Sequence, residues 1–155
     1  MSRRQLTVLS AAALVCGAFG LAAWATQGSM ISTTLLSGPV LLGEVDVGTE
    51  ADGHEVEIKT KGVSDVYVVR NVIQPGGHTG WHSHLGPSII SVVSGVATNY
   101  EGDDPQGTVH PAGTAFVDDG NHAHIVRNEG TVPLELVAFQ ILPAGATRRI
   151  DEPQP

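Results

Sequence analysis

Pro75-Gly76-Gly77-His78-Thr79-Gly80-Trp81-His82-Ser83-His84 sets two histidines one residue apart behind a Pro-Gly-Gly turn. In a strand, side chains two apart share a face, so His82 and His84 point one way together while Trp81 and Ser83 point the other. Two imidazoles supply only part of a coordination sphere. The rest must come from another strand facing the same cavity, and the best candidate is His124, about forty residues downstream in His124-Ile125-Val126-Arg127-Asn128. Together the three read as a site for a divalent metal ion.

The surroundings of these segments read as strands. Short runs rich in β-branched residues, separated by Gly, Pro, Asp and Asn, cover 40–47, 55–60, 65–73, 88–94, 96–100, 114–117, 122–127 and 134–142. Nothing after residue 26 holds a helical period, and turn signals recur about every ten residues, as in sandwiches and barrels. Gly95 marks a bend between two adjacent strands. Residues 101–107 form a surface loop whose acids, Glu101, Asp103 and Asp104, lack the ligand order of a calcium loop.

A chain of 155 residues holds one domain with a real core. Arg3 and Arg4, the apolar run from Leu6 to Ala23 and the small-x-small Ala23-Trp24-Ala25 make residues 1–25 an export signal peptide or, uncleaved, an anchor helix over residues 6–25. The location implied is outside the cytoplasm, secreted or in the cell envelope, by a general or a twin-arginine route. Cys16, the only cysteine, lies in that run, so the domain has no disulfide. Residues 26–39 read as a linker, 40–142 as the domain and 143–155 as a flexible tail. The chain carries 8 basic and 16 acidic residues; without Arg3 and Arg4 the count is 6 against 16, a surface that repels nucleic acid and anionic lipid. Membrane contact is then confined to the N-terminal segment, and the expected partner is a small molecule.

The two histidine segments resemble the paired motifs of the cupin superfamily. The first, G-x5-H-x-H-x3,4-E-x6-G, maps onto Gly76, His82, His84 and Gly95, with Ser88 in place of the glutamate. The second maps onto Gly113, Gly120, His124 and Asn128, with Asp119 where proline is usual and one extra residue before His124. The resemblance spans residues 40–142. It implies an all-β double-stranded β-helix, a jelly-roll barrel, with His82, His84 and His124 on a divalent ion such as Fe, Mn or Zn and no carboxylate among the ligands. It also implies two open functions: a dioxygenase-like oxidoreductase, or a non-catalytic metal-dependent module that binds a small ligand. A homodimer through edge strands is a further implication.

Ser88 is read as a group behind the ligands or a plain barrel residue. His122 lies two residues before His124 and so shares its face if the strand is regular, which makes it a candidate proton shuttle. His78 is expected in an exposed loop and Trp81 on the outer face of its strand. His54 and His110 have no supporting pattern, and Tyr67, Phe139 and Gln140 lie on strands whose facing is left open.

Overall fold

The computed structural model describes residues 25–102, 104 and 106–155. The expected export segment, with Arg3, Arg4 and Cys16, falls at residues 1–24 and lies outside the described residues. Among the described residues no helix is long and apolar enough to cross a membrane.

Twelve strands account for the regular structure: β1 (Ser29–Leu42), β2 (Asp46–Ala51), β3 (His54–Lys59), β4 (Ser64–His78), β5 (His82–Ser83), β6 (Ser88–Ser94), β7 (Val96–Glu101), β8 (Thr108–Pro111), β9 (Ala115–Asp118), β10 (His124–Arg127), β11 (Leu134–Pro143) and β12 (Ile150–Asp151). Ten of them form one sheet in the order β12-β5-β10-β4-β11-β6-β9, with β1 added on β4 and the β7–β8 pair on β10. The sheet curls into a nearly closed all-β barrel, so the expected fold class holds for the domain. β2 and β3 form a separate hairpin. Its Asp52-Gly53 corner has φ of 51° and 79°, the left-handed pair a tight two-residue hairpin turn requires.

Strand β11 shows how the sequence builds the barrel. Leu134, Leu136, Ala138, Gln140 and Leu142, every second residue, are buried. Their period of two sends one face inward. Leu134, Leu136 and Ala138 join Ile73, Ile90, Val92, Phe116 and Val126 in the main core, while Tyr67, Val69 and Leu142 form a second cluster. Gln140 is a polar residue on this inward row, and it borders the site described below.

Two boundaries differ from expectation. Of the segment 26–39, read as a linker, residues 29–39 belong to β1, which pairs with β4 from Ser29 opposite His78 to Leu42 opposite Ser64. Sheet pairing satisfies backbone groups and needs no hydrophobic period on an outer strand, and the local polarity even adds a bond, Thr33 Oγ1 to Asn71 Oδ1 at 2.8 Å. The 143–155 tail is likewise tied down. Ile150 and Asp151 pair with Ser83 and His82, the Glu152 amide donates to the Trp81 carbonyl at 2.9 Å, and Ser83 Oγ donates to Glu152 Oε1 at 2.7 Å. Trp81, whose carbonyl takes that Glu152 amide, is buried.

Candidate metal centre

β5 and β10 meet at the pair His82–His124. Because residues opposite each other on neighbouring strands project to the same side, this register alone brings the two rings together. His84 follows the end of β5, and its amide donates to the Gly120 carbonyl at 2.9 Å, which ties the loop before β10 to the first histidine segment. Gly120 has φ +83°, and a Cβ there would collide with the Gly86 carbonyl. The glycine at this point is thus fixed by close backbone approach as well as by conformation.

The structure gathers His82, His84 and His124 with one ring nitrogen from each inside a 4.8 Å span, all three buried. Ring centroids lie 4.3 Å apart for His82–His124, 4.9 Å for His82–His84 and 5.2 Å for His84–His124. The Nδ1 atoms all turn outward to backbone carbonyls: His82 to Gly80 at 2.8 Å, His84 to Arg148 at 2.6 Å and His124 to His122 at 3.0 Å. A neutral imidazole that donates from Nδ1 carries its lone pair on Nε2. When all three rings are neutral their Nε2 lone pairs face one another within that span, and a carbonyl behind each ring fixes its orientation, as in protein metal sites. The donor set fits a divalent ion.

A carboxylate stands beside the histidines, at a position neither motif marks. Asp118, 3% exposed, places Oδ2 at 2.9 Å from His124 Nε2 and 3.9 Å from His84 Nε2. Its Oδ1 accepts the Gly120 amide at 2.8 Å. The family motifs do not mark this position, yet β9 alternates, with Phe116 and Asp118 inward and Ala115 and Val117 outward. That two-residue period was the available signal. Ser88 is fully buried beside it and accepts a bond from Gln140 Nε2 at 3.0 Å.

His122 does not join the cluster. β10 begins only at His124, so the parity argument does not reach two residues back, and the His122 side chain is 73% exposed beside Asp119. His78 is half-buried and accepts the Gly80 amide on Nδ1 at 3.0 Å. His110 stacks on Phe116 with centroids 4.2 Å apart, and His54 is exposed on β3.

Electrostatics divide the three imidazoles. Burial, with His124 and Arg149 nearby, drives His82 down to about 2, and burial also holds His84 below its ordinary value. For His124 burial acts in the same downward sense, but the hydrogen bond and charge of Asp118 outweigh it and raise the ring. Asp118 is lowered: burial opposes this, and the His124 hydrogen bond and charge prevail.

The metal-free fold should accordingly lose stability on acidification. Between pH 2 and about 6.5 the unfolded chain takes up protons that folded His82 refuses, so stability rises with pH through that window, by up to about 1.4 kcal/mol per unit for one such group. His84 acts in the same sense, and Asp118 withdraws its contribution as pH falls through its lowered value. The His124 contribution is present below about 6.5 and is lost as pH rises through its raised value. Urea titrations of metal-free protein should show a steep fall in stability from pH 6.5 to 4.5; a flat profile would contradict these buried neutral rings.

The cluster opens on a cavity of about 300 Å³ whose apolar wall includes Val69, Ile90, Leu136 and Ala138 and whose polar wall includes Asn71, Gln140, Arg148 and Arg149. Arg149 pairs with Asp151 at 2.6 Å. Arg148 donates to Gln140 Oε1 at 3.2 Å, and among the described residues no carboxylate pairs with it. Both arginines come from the segment expected to be a loose tail.

Several known proteins are similar to this chain. A family model, the cupin domain Cupin_2, matches residues 69–140. A solved cupin superfamily protein from Desulfitobacterium hafniense superposes with TM-score 0.50 at 10% identity, covering 72% of this chain and 77% of its own. A protein with a double-stranded β-helix domain from Klebsiella pneumoniae subsp. pneumoniae gives 0.49 at 21% identity, covering 71% and 85%. A predicted oxalate decarboxylase from Thermotoga maritima gives 0.44 at 23% identity, covering 53% and 83%. No curated protein matches the chain in sequence.

Proposed function

We propose, from the match of residues 69–140 to the cupin domain, that the chain is an exported metal-dependent protein that binds and oxidises a small carboxylate-bearing molecule. The observation that carries the reading is the convergence of three Nε2 lone pairs, each backed by an Nδ1 bond to a carbonyl, at the wall of a cavity that also holds Arg148. His82, His84 and His124 would hold the ion. When bound, a divalent ion with open positions supplies Lewis acidity and a place where substrate and dioxygen meet.

The chain's own residues do the rest. Arg148, half-buried and without an acidic partner among the described residues, offers a planar two-pronged donor to a ligand carboxylate, and Arg149 adds positive charge from the same wall. Gln140 Oε1 holds the Arg148 guanidinium in place while its Nε2 is engaged with Ser88. The apolar wall excludes water, which strengthens each of these contacts. Export rests on Arg3, Arg4 and the apolar run after them.

The test is anaerobic loading with Fe(II) or Mn(II), then oxygen uptake and calorimetry against small carboxylates, thiols and diketones. Turnover of a carboxylate is expected, and Arg148→Gln should raise its KM by about 10-fold or more while leaving kcat within a few-fold, since a charged hydrogen bond contributes roughly 1.5–3 kcal/mol. Binding without turnover for any metal would establish a non-catalytic binding module instead. Neither heat nor turnover across the panel would overturn the proposal.

A further inference from the structure

We infer that Asp118 is the carboxylate ligand of this centre, supplied from β9 at a site where the first motif has lost its glutamate to Ser88. The inference rests on the three-histidine metal reading above. Gln140 lies opposite Ser88, and Ser88 lies opposite Asp118, so three side chains from β11, β6 and β9 stand in one row on the inner face of the barrel. Moving an acid from the middle of that row to its end keeps it at the same level of the barrel. All three residues are at most 3% exposed.

The atom positions support ligation rather than packing. Oδ1 of Asp118 is occupied by the Gly120 amide, and this bond aims Oδ2 at the histidines. Oδ2 is buried with no N–H or O–H donor in reach other than a ring nitrogen. That nitrogen, His124 Nε2, carries a lone pair whenever the ring is neutral, because its Nδ1 proton is committed to the His122 carbonyl. Two buried acceptors 2.9 Å apart repel unless a positive charge lies between them: in the metal-free chain the proton His124 shares with Asp118, in the loaded chain the ion that displaces it. Donor atoms held at about 2.0–2.2 Å from one ion stand roughly 3–4 Å from each other. The Oδ2 separations of 2.9 Å from His124 Nε2 and 3.9 Å from His84 Nε2 match that spacing, while the 4.8 Å span that gathers the three histidines does not include Asp118. Three neutral imidazoles and one carboxylate would leave the centre at +1 with a divalent ion, which suits the hard end of the Fe, Mn and Zn range better than imidazole alone.

The experiment uses the metal-stripped chain and Co(II) as probe, reading affinity by calorimetry and the ligand field by visible absorption. Asp118→Asn keeps the Gly120 acceptor and the size of the side chain but removes the anionic donor. It should weaken Co(II) binding by about 10- to 100-fold and change the visible spectrum. The double variant Asp118→Asn with Ser88→Glu returns an acid to the middle of the row and should recover affinity to within a few-fold. If Asp118→Asn binds with the affinity and spectrum of the parent while His82→Ala does not bind, Asp118 is only a partner of His124 and this inference fails alone. If the parent chain itself takes no Co(II), the metal reading fails and the inference with it. Should Asp118→Asn fail to fold, infrared difference spectra of the parent labelled with ¹³C-carboxyl aspartate decide: a shifted carboxylate band on Co(II) addition supports ligation, and an unmoved band overturns it.

Discussion

Alanine at His124 is expected to reduce affinity for a divalent ion by about 100- to 1,000-fold and, separately, to destabilise the metal-free fold by about 3 kcal/mol. The first figure follows from sharing the roughly 10–16 kcal/mol of a four-ligand protein site among its donors. The second has a different origin. His124 is the group against which Asp118 Oδ2 rests at 2.9 Å, and both are nearly sealed from solvent. Removing one partner of a buried pair strands the other, which costs about 3–5 kcal/mol. His82→Ala should lose metal equally yet cost less in the metal-free state, because folded His82 is held neutral against its own preference for a proton. Metal titration followed by urea denaturation of both metal-stripped variants separates the two effects. Retained metal in both would show that the ligands are misassigned, and equal destabilisation would remove Asp118 from its role as the partner of His124.

The difference between these two histidines was not legible in the sequence, although the histidines themselves were. Their spacing around one intervening residue and the pairing of His124 with Asn128 are local patterns, and local patterns survive in one dimension. Asp118 was missed because its meaning lies in the register of β6 on β9, which joins residues 88 and 118 through hydrogen bonds no motif encodes. β1 was missed for the same reason: an outer strand needs backbone partners, and those are supplied by β4 some forty residues later. Arg148 and Arg149 were hidden by a short polar ending that gives no packing signal until Ile150 pairs with Ser83. His122 failed in the opposite direction, since a period of two was extended across a strand end where it no longer applies.

The largest effect on stability should come from Asn128, which touches none of the metal-facing atoms. Its side chain is 1% exposed and fully used: Nδ2 donates to the Ile73 carbonyl at 2.8 Å and the Val132 carbonyl at 2.9 Å, and Oδ1 accepts the Gly130 amide at 3.1 Å. Its backbone is used as well, the amide donating to Gly77 at 3.0 Å and the carbonyl accepting from Gly76 at 2.9 Å. Asn128 therefore binds the end of β10 to the turn that precedes His82, and so holds the two histidine segments at a fixed distance. Leucine at this position preserves volume and removes every side-chain bond, leaving two carbonyls and one amide unsatisfied in a dry interior. At about 1–3 kcal/mol for each of the three stranded groups, Asn128→Leu should cost about 3–9 kcal/mol, a large share of the 5–15 kcal/mol that holds a domain together. Thermal unfolding followed by circular dichroism should show the midpoint falling by about 10–20 °C. Asn128→Asp should fare no better despite its shape, because a carboxylate would face two carbonyl oxygens where Nδ2 now donates. A fall of less than about 1 kcal/mol would mean that water satisfies these groups and that the link between the two histidine segments runs elsewhere.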